Sequence, residues 1–182
     1  GHQCSSWRWH NDRCKKRGDN IGRSGHKHLT GDKIVALCDR NCNVVAPFVT
    51  APGNANETKL FPDAFNKLKD IAKAVGMAVI GSVISLDGAY DSKKNRKMIF
   101  NAGMVPNINE NKRNRKSKKR GRKRLFDKAI FKERFRTIER VFSWEDKFKR
   151  LLLRFEHHSV HHYAMKLMAY TMINLRHFCK PP

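Results

Sequence analysis

Between Lys112 and Arg124 ten of thirteen residues are Lys or Arg and none is apolar. Such a run repels itself and has nothing to bury, so it stays extended until a polyanion neutralises it. Any core must therefore be assembled from the chain on either side of it. One domain with a sizeable core fits in 182 residues and two full ones do not. The run belongs to a wider excess of cations: 39 Lys and Arg against 16 Asp and Glu, a formal charge of +23. That balance disfavours a small-molecule substrate and points to a polyanionic partner. The 40% hydrophobic content still provides for a core. No apolar stretch reaches the roughly 18 residues of a membrane span, and no leading signal peptide is visible. The chain opens on Gly1, the expectation being a fragment or a processed product.

The five cysteines (Cys4, Cys14, Cys38, Cys42 and Cys179) are odd in number and irregularly spaced, which predicts reduced thiols and no disulfide framework. Residues 1–18 show no sustained period and read as an irregular leader. The runs Ile34–Cys38 and Val44–Val49, parted by the turn cluster 39–43, predict a hairpin whose second strand is an edge or bulged at Pro47. Pro62 to Val75 reads as a helix, with apolar residues at Phe61, Phe65, Leu68, Ile71 or Ala72 and Val75 at helical spacing and Gly76 as a C-terminal cap. Val83–Leu86 reads as a buried strand ending in Asp87, followed by a helix over 91–102 and a short strand at 104–108. Residues 132–178 predict two helices broken near Ser159, the second apolar almost all round and so buried. The order describes an α/β chain with a mixed sheet.

A carboxylate at the carboxyl end of a buried strand stands where α/β sheets place their chemistry. Asp87 is such a residue, and equally suits a turn cap. In the helix containing 136–142, Phe135, Ile138, Phe142, Phe148, Leu152 and Phe155 gather on one side. Glu139, Ser143, Asp146 and Arg150 form a separate polar stripe, with Glu139 near its border. The stripe is either a solvated face with ordinary ion pairs or the wall of a cleft. Carboxylates converging from a strand end and a helix hold paired Mg²⁺ ions in phosphodiester chemistry. His157/His161 and His158/His162 have zinc-compatible spacing but no third ligand type, and read as structural or exposed. Trp144 reads as packing beside Glu139.

The segments Gly25–Ile34, Leu86–Asp91 and Thr137–Trp144, extended by Arg150–Glu156 and Tyr170–Arg176, resemble bacterial insertion-sequence transposases with a DDE catalytic domain, the IS5-like members of the IS4 superfamily. The resemblance covers about residues 18–179. It implies an RNase H-like mixed sheet with flanking helices over 19–179, a basic loop at 112–124 and a tail at 180–182. It makes Asp87 and Glu139 the second and third acidic residues, both catalytic and both binding Mg²⁺. The implied chemistry is cleavage at transposon ends and joining of a 3′-hydroxyl to target DNA. Self-association, or association with an intact transposase, follows as a partner expectation, with no membrane and no small-molecule substrate. The implied place is the bacterial cytoplasm, on the nucleoid. DNA contacts are expected from Lys112, Arg113, Arg115, Lys116, Lys118, Lys119, Arg120, Arg122, Lys123 and Arg124, and from Arg136, Arg140 and Lys147. The superfamily's Arg four before the Glu and Lys seven after it are Phe135 and Asp146 here, with Arg134, Arg136 and Lys147 one position off.

The larger departure is the first Asp, which the family carries on a first strand reading like Asp-Gly-Thr. Residues 1–17 offer no such strand, so the expectation is a domain lacking its first strand and its first acidic residue, and inactive. Asp12, Asp19, Asp32 and Asp39 are the substitutes in principle. If the Arg8 codon ends in GA, a shift of one nucleotide reads Asp-Gly across Arg8, Trp9 and His10, and permits Thr-Thr-Thr-Ala-Ala-Lys after it. An insertion or deletion near Lys15-Lys16 would then have joined an out-of-frame leader to an in-frame body. Sequencing the locus tests this, since any other ending of the Arg8 codon removes the hidden Asp. The rival functions are a non-enzymatic DNA-binding remnant and a basic RNA-binding protein.

Overall fold

The computed structural model of the chain describes residues 4–14, 18–25, 28–111, 125–176 and 179, and for residues 4–14 the backbone alone. Three strands open the chain: β1 (Cys4–Cys14), β2 (Gly22–Ser24) and β3 (Leu29–Cys38). They are followed by β4 (Val49–Pro52), helix α1 (Glu57–Ala74), β5 (Val83–Leu86), α2 (Lys93–Asn101) and β6 (Val105–Ile108). Beyond the basic run come α3 (Lys128–Glu145), the two-residue β7 (Leu153–Arg154) and α4 (Ser159–Leu175). The strands form one sheet in the order β2-β3-β1-β5-β6, with β4 joined to β3 and β7 to β1. β1 is central, antiparallel to β3 and parallel to β5, and β5 is parallel to β6.

Residues 31–38 of β3 are all buried, because helices cover both faces of the sheet. Strand alternation sorts them. Val35 and Leu37 face Phe61, Phe65 and Leu68 of α1 and Ile99 of α2, together with Ile84 and Leu86 of β5. Ile34, Ala36 and Cys38 face Ile138, Val141 and Phe142 of α3 and Tyr170 and Ile173 of α4. This is a three-layer α/β/α arrangement of the RNase H-like kind, as expected. Cys38, Cys42 and Cys179 are free thiols. No helix among the described residues is long and apolar enough to cross a membrane.

Several expectations need correction. Cys4–Cys14 is no irregular leader but the central strand, so the first strand is present. Its sequence lacks an apolar pattern; it is held by backbone pairing on both sides, which single-sequence reading does not detect. The hairpin's second strand does not span Val44–Val49. Val44 makes one isolated bridge to Cys38, and the ladder resumes at Val49, opposite Val35, beyond Ala46-Pro47-Phe48. Pro47, with no N–H to give, lies outside the strand.

Helix α1 starts five residues before Pro62, capped by the Asn56 side chain, which accepts from Thr58 N at 2.9 Å. It ends where Gly76 takes a left-handed φ of +65°. α3 ends at Glu145, so Phe148, Leu152 and Phe155 are not on it, and Phe135 is exposed. α4 is not buried all round: Met168, Met172, Leu167 and Leu175 are exposed.

Candidate active site

Ile84 and Leu86 pack against α1 and α2, so alternation places Ser85, and then Asp87, on the face that α3 covers. The start of α3 confirms that side. Asn107 of β6 donates to Ser85 Oγ at 3.4 Å and to the carbonyl of Asp127, and its own carbonyl oxygen accepts from Asp127 N. Asp127 caps α3 by accepting from Ala129 N and Ile130 N at 2.7 and 3.1 Å. Asp87 itself is exposed and accepts from Gly88 N at 2.6 Å, capping the 3-10 turn Gly88–Tyr90. The turn-cap role is therefore real, and it leaves the second carboxylate oxygen available.

A feature missed from sequence stands beside this turn. The first residues of α1 clasp it: Thr58 donates to the Ala89 carbonyl at 3.3 Å, and Tyr90 donates to Glu57 Oε2 at 3.4 Å. Lys33 of β3 donates to the other Glu57 oxygen at 3.3 Å and to the Ala55 carbonyl at 2.9 Å. Burial pushes the Glu57 carboxyl above its usual range against the pull of Lys33, and the nearby Asp87 charge pushes the same way. A second acidic group thus lies within electrostatic reach of Asp87. The cluster Asn54–Glu57 carries only an ordinary helix-start signal, and nothing in the sequence ties it to a strand end thirty residues on.

Glu139 is half-buried on α3, at the border of the face that carries Ile138, Val141 and Phe142. Neither it nor Asp87 is sealed against hydrocarbon. α3 packs on β1, β5 and β6, so both residues belong to the same layer of the domain. Of the expected DNA-contacting residues, Arg136, Arg140 and Lys147 are exposed. Arg134, one of the two arginines flanking the family's position, is buried and lies over the Phe131 ring at 4.5 Å, which makes it a packing residue. Residues 112–124 lie outside the described residues. His162 is buried while His157, His158 and His161 are exposed, and Trp144 packs under the Arg176 guanidinium at 4.0 Å.

The first acidic position can be located from the backbone. β1 pairs with β5 as Cys4↔Val83, Ser5↔Ile84 and Ser6↔Ser85. Continuing that register, Arg8 is level with Asp87. In the other ladder Arg8 pairs with Ala36, whose side chain packs in the α3/α4 layer. By this continued register the β1 position level with Asp87 is an arginine in the sequence.

None of the four substitutes fills this place. Asp12 lies four residues further along β1, about 13 Å at strand rise, and pairs with Asp32. Asp32 is fully buried, held by Arg154 Nη1 at 3.3 Å and by the Tyr163 hydroxyl. Burial above all, and then that carboxylate, pushes the Tyr163 phenol up. Asp19 caps α4, accepting from Ser159 N and Oγ at 2.6 and 2.7 Å and from Arg154 at 2.6 Å. The Ser159 hydroxyl above all lowers the Asp19 carboxyl to about 2. Asp39 accepts from the Asn43 backbone and side-chain amides at 2.8 and 3.0 Å, as a turn residue.

A two-ion site of the phosphodiester type needs carboxylates that bridge metals about 4 Å apart. The resemblance offers Asp87 and Glu139 for such a site, and the β1 position that the continued register brings level with Asp87 is Arg8. Among the described residues no three His, Cys, Asp or Glu side chains group as a metal site.

A central strand flanked by one antiparallel and one parallel neighbour, with helices on both faces, gives the RNase H-like arrangement. The sequence matches the family model of the transposase DDE domain over residues 5–172, and the chain belongs to that family. Among solved structures it is similar to the piggyBac transposase in a synaptic complex with hairpin DNA, at TM-score 0.56 and 11% identity over 95% of this chain and 45% of that one. It also resembles the Mos1 transposase of a paired-end complex with the left transposon end, at TM-score 0.39 and 8% identity over 57% of this chain and 34% of that one. The chain thus spans less than half the length of these structural relatives. No curated protein matches it in sequence. The family match starts within β1, in agreement with a first strand that is present.

Proposed function

We propose that this chain is a DNA-binding member of the transposase DDE family that has lost cleavage and strand transfer. One reading carries the loss: continued two residues past its last pair, Ser6↔Ser85, the β1–β5 register brings Arg8, not a carboxylate, level with Asp87. The family's chemistry relies on divalent metal ions, Mg²⁺ by the resemblance, and Asp87 and Glu139 alone do not form the donor set that chemistry needs. What remains is the capacity to occupy DNA. The excess charge of +23 and the exposed Arg136, Arg140 and Lys147 support contact with the phosphates of transposon ends or target, in the nucleoid of a bacterial cell. Association with a second copy, or with an intact transposase, would let the chain interfere with transposition.

The basic residues 112–124 would act as a sequence-blind phosphate clamp, because side chains of that kind meet backbone and not base edges. Neutralising Arg113, Arg115, Lys118, Lys119, Arg120 and Arg122 is expected to weaken binding of unrelated duplexes by similar factors. The slope of log affinity against log salt should flatten by about 0.9 for each lost phosphate contact. Titrations at several salt concentrations measure this, and an unchanged slope refutes the clamp.

A further inference from the structure

Helix α2 turns two unlike sides to its surroundings. On the inner side Asn95 and Ile99 are buried, and the Asn95 side-chain amide donates to the Tyr90 carbonyl at 3.0 Å. Arg96 is committed to the fold: it pairs with Asp91 at 2.8 Å and donates to the Ile108 carbonyl at 2.9 Å. At about 100° per residue, Lys93, Lys94, Lys97, Phe100 and Asn101 fall within an arc of about 120° on the outer side. All five are exposed, Phe100 by 72%. Among the described residues none of the three lysines has an ion-pair or hydrogen-bond partner.

Fold stability does not account for this outer face. Lys93 and Lys94 stand in the first turn with no acidic residue there, where the helix dipole disfavours cations. α1, in the same layer, intersperses Asp63 and Asp70 among its exposed lysines, whereas α2 contains no Asp or Glu. Phe100 leaves most of its ring in water, where it adds little to the core.

We infer that the outer face of α2 binds single-stranded DNA, the lysines meeting its phosphates and the Phe100 ring stacking on a base. The unpaired cations select a polyanion. The aromatic ring selects the strandedness. In a duplex the bases stack on one another and the outside offers mostly phosphates, to which a phenyl ring has no hydrogen bond to give. An unpaired strand offers the faces of its bases, and cationic side chains interleaved with an exposed aromatic hold it without reading sequence. Lys93 to Phe100 spans about 10 Å of helix, so the stripe takes only a few nucleotides. Lys93 follows Asp87 by six positions, which puts the start of the stripe beside the strand end. α2 packs in the layer of α1, whereas Arg136 and Arg140 lie on α3 in the opposite layer. The two faces of the sheet therefore take different forms of DNA, duplex at α3 and a separated strand at α2. The assignment rests on the DNA-binding part of the functional reading, and a duplex control tells its failure from the failure of that reading.

Fluorescence anisotropy of the full chain with a labelled oligodeoxythymidine of about 12 nucleotides, and separately with a blunt duplex, tests the assignment. Phe100→Ala and Phe100→Leu should each weaken single-strand binding by about fivefold or more, the smallest effect expected from losing one stacked base. Phe100→Trp, which restores an aromatic face, should bind the strand like wild type. All three should leave duplex binding within about twofold of wild type, because a phosphate contact needs no ring. Their thermal unfolding curves should match wild type, since the position is exposed. Replacing Lys93, Lys94 and Lys97 together with Gln should flatten the single-strand slope of log affinity against log salt by about 0.7 for each lost phosphate contact. Phe100→Ala or Phe100→Leu binding the strand like wild type, or losing strand and duplex equally, would overturn the proposal. Wild-type binding of duplex without binding of the strand would overturn it alone, and binding of neither would overturn the DNA-binding reading with it.

Discussion

With supercoiled plasmid and Mg²⁺, the chain is expected to give no nicking above a no-protein control, and Arg8→Asp to restore measurable nicking that Asp87→Ala then removes. The expectation follows from register. Ser6 is opposite Ser85 in the parallel ladder, so residue 8 is level with Asp87. A carboxylate there adds the strand-borne ligand that the strand-end Asp87 and the helix-borne Glu139 lack, whereas an arginine repels cations from the same place. Removing an essential group from a site that acts as a unit costs several orders of magnitude in rate, so the wild type compared with Arg8→Asp is a decisive contrast. Nicking by the wild type that depends on Asp87 would show that another group serves as the first acidic residue. Glu57, clasped by Lys33 and Tyr90 within electrostatic reach of Asp87, would then be the first to examine.

The second large effect is structural. Lys166→Met should destabilise the fold by about 3–5 kcal/mol, because it strands the Glu145 carboxylate between α3 and α4 with only the Tyr170 hydroxyl. The double variant Lys166→Met with Glu145→Gln should recover most of that loss, since a neutral amide can still accept from Tyr170. Urea unfolding of the three proteins closes the cycle. A single variant within about 1 kcal/mol of wild type, or a double variant no better than the single, would contradict the view that this pair is buried and mutually dependent.

How much was legible in the sequence depended on whether local pattern or distant pairing made the feature. Val83–Leu86 and Asp87 were readable because a short, mostly apolar run stops at a carboxylate, and the strand has those bounds. The cap at Gly76 was readable for the same local reason. β1 was not, because its polar residues take strand geometry only from neighbours on both sides, one of them about eighty positions away. The start of α1 was placed late, since Pro62 looks like a beginning and the Asn56 cap is a weaker signal than proline.

Apolar periodicity in α4 announced a helix but could not say which face another element covers. That requires knowing that Lys166 finds Glu145. In the same way, Asp32 looked like a spare carboxylate until Arg154, 122 positions on, was seen to neutralise it. Asp87 and Glu139 were singled out through family resemblance and strand-end logic, and the fold puts both in the layer that α3 forms. The identity of the residue facing Asp87 became visible only once the ladder register was known.

The most direct test of the central claim is a count of bound ions. Mn²⁺ binding followed by electron paramagnetic resonance, on the wild type and on Arg8→Asp, reads the donor set without requiring turnover. The account predicts no tight Mn²⁺ site in the wild type and at least one gained in Arg8→Asp that is lost again with Asp87→Ala. Tight binding of two ions by the wild type, abolished by Asp87→Ala, would contradict it.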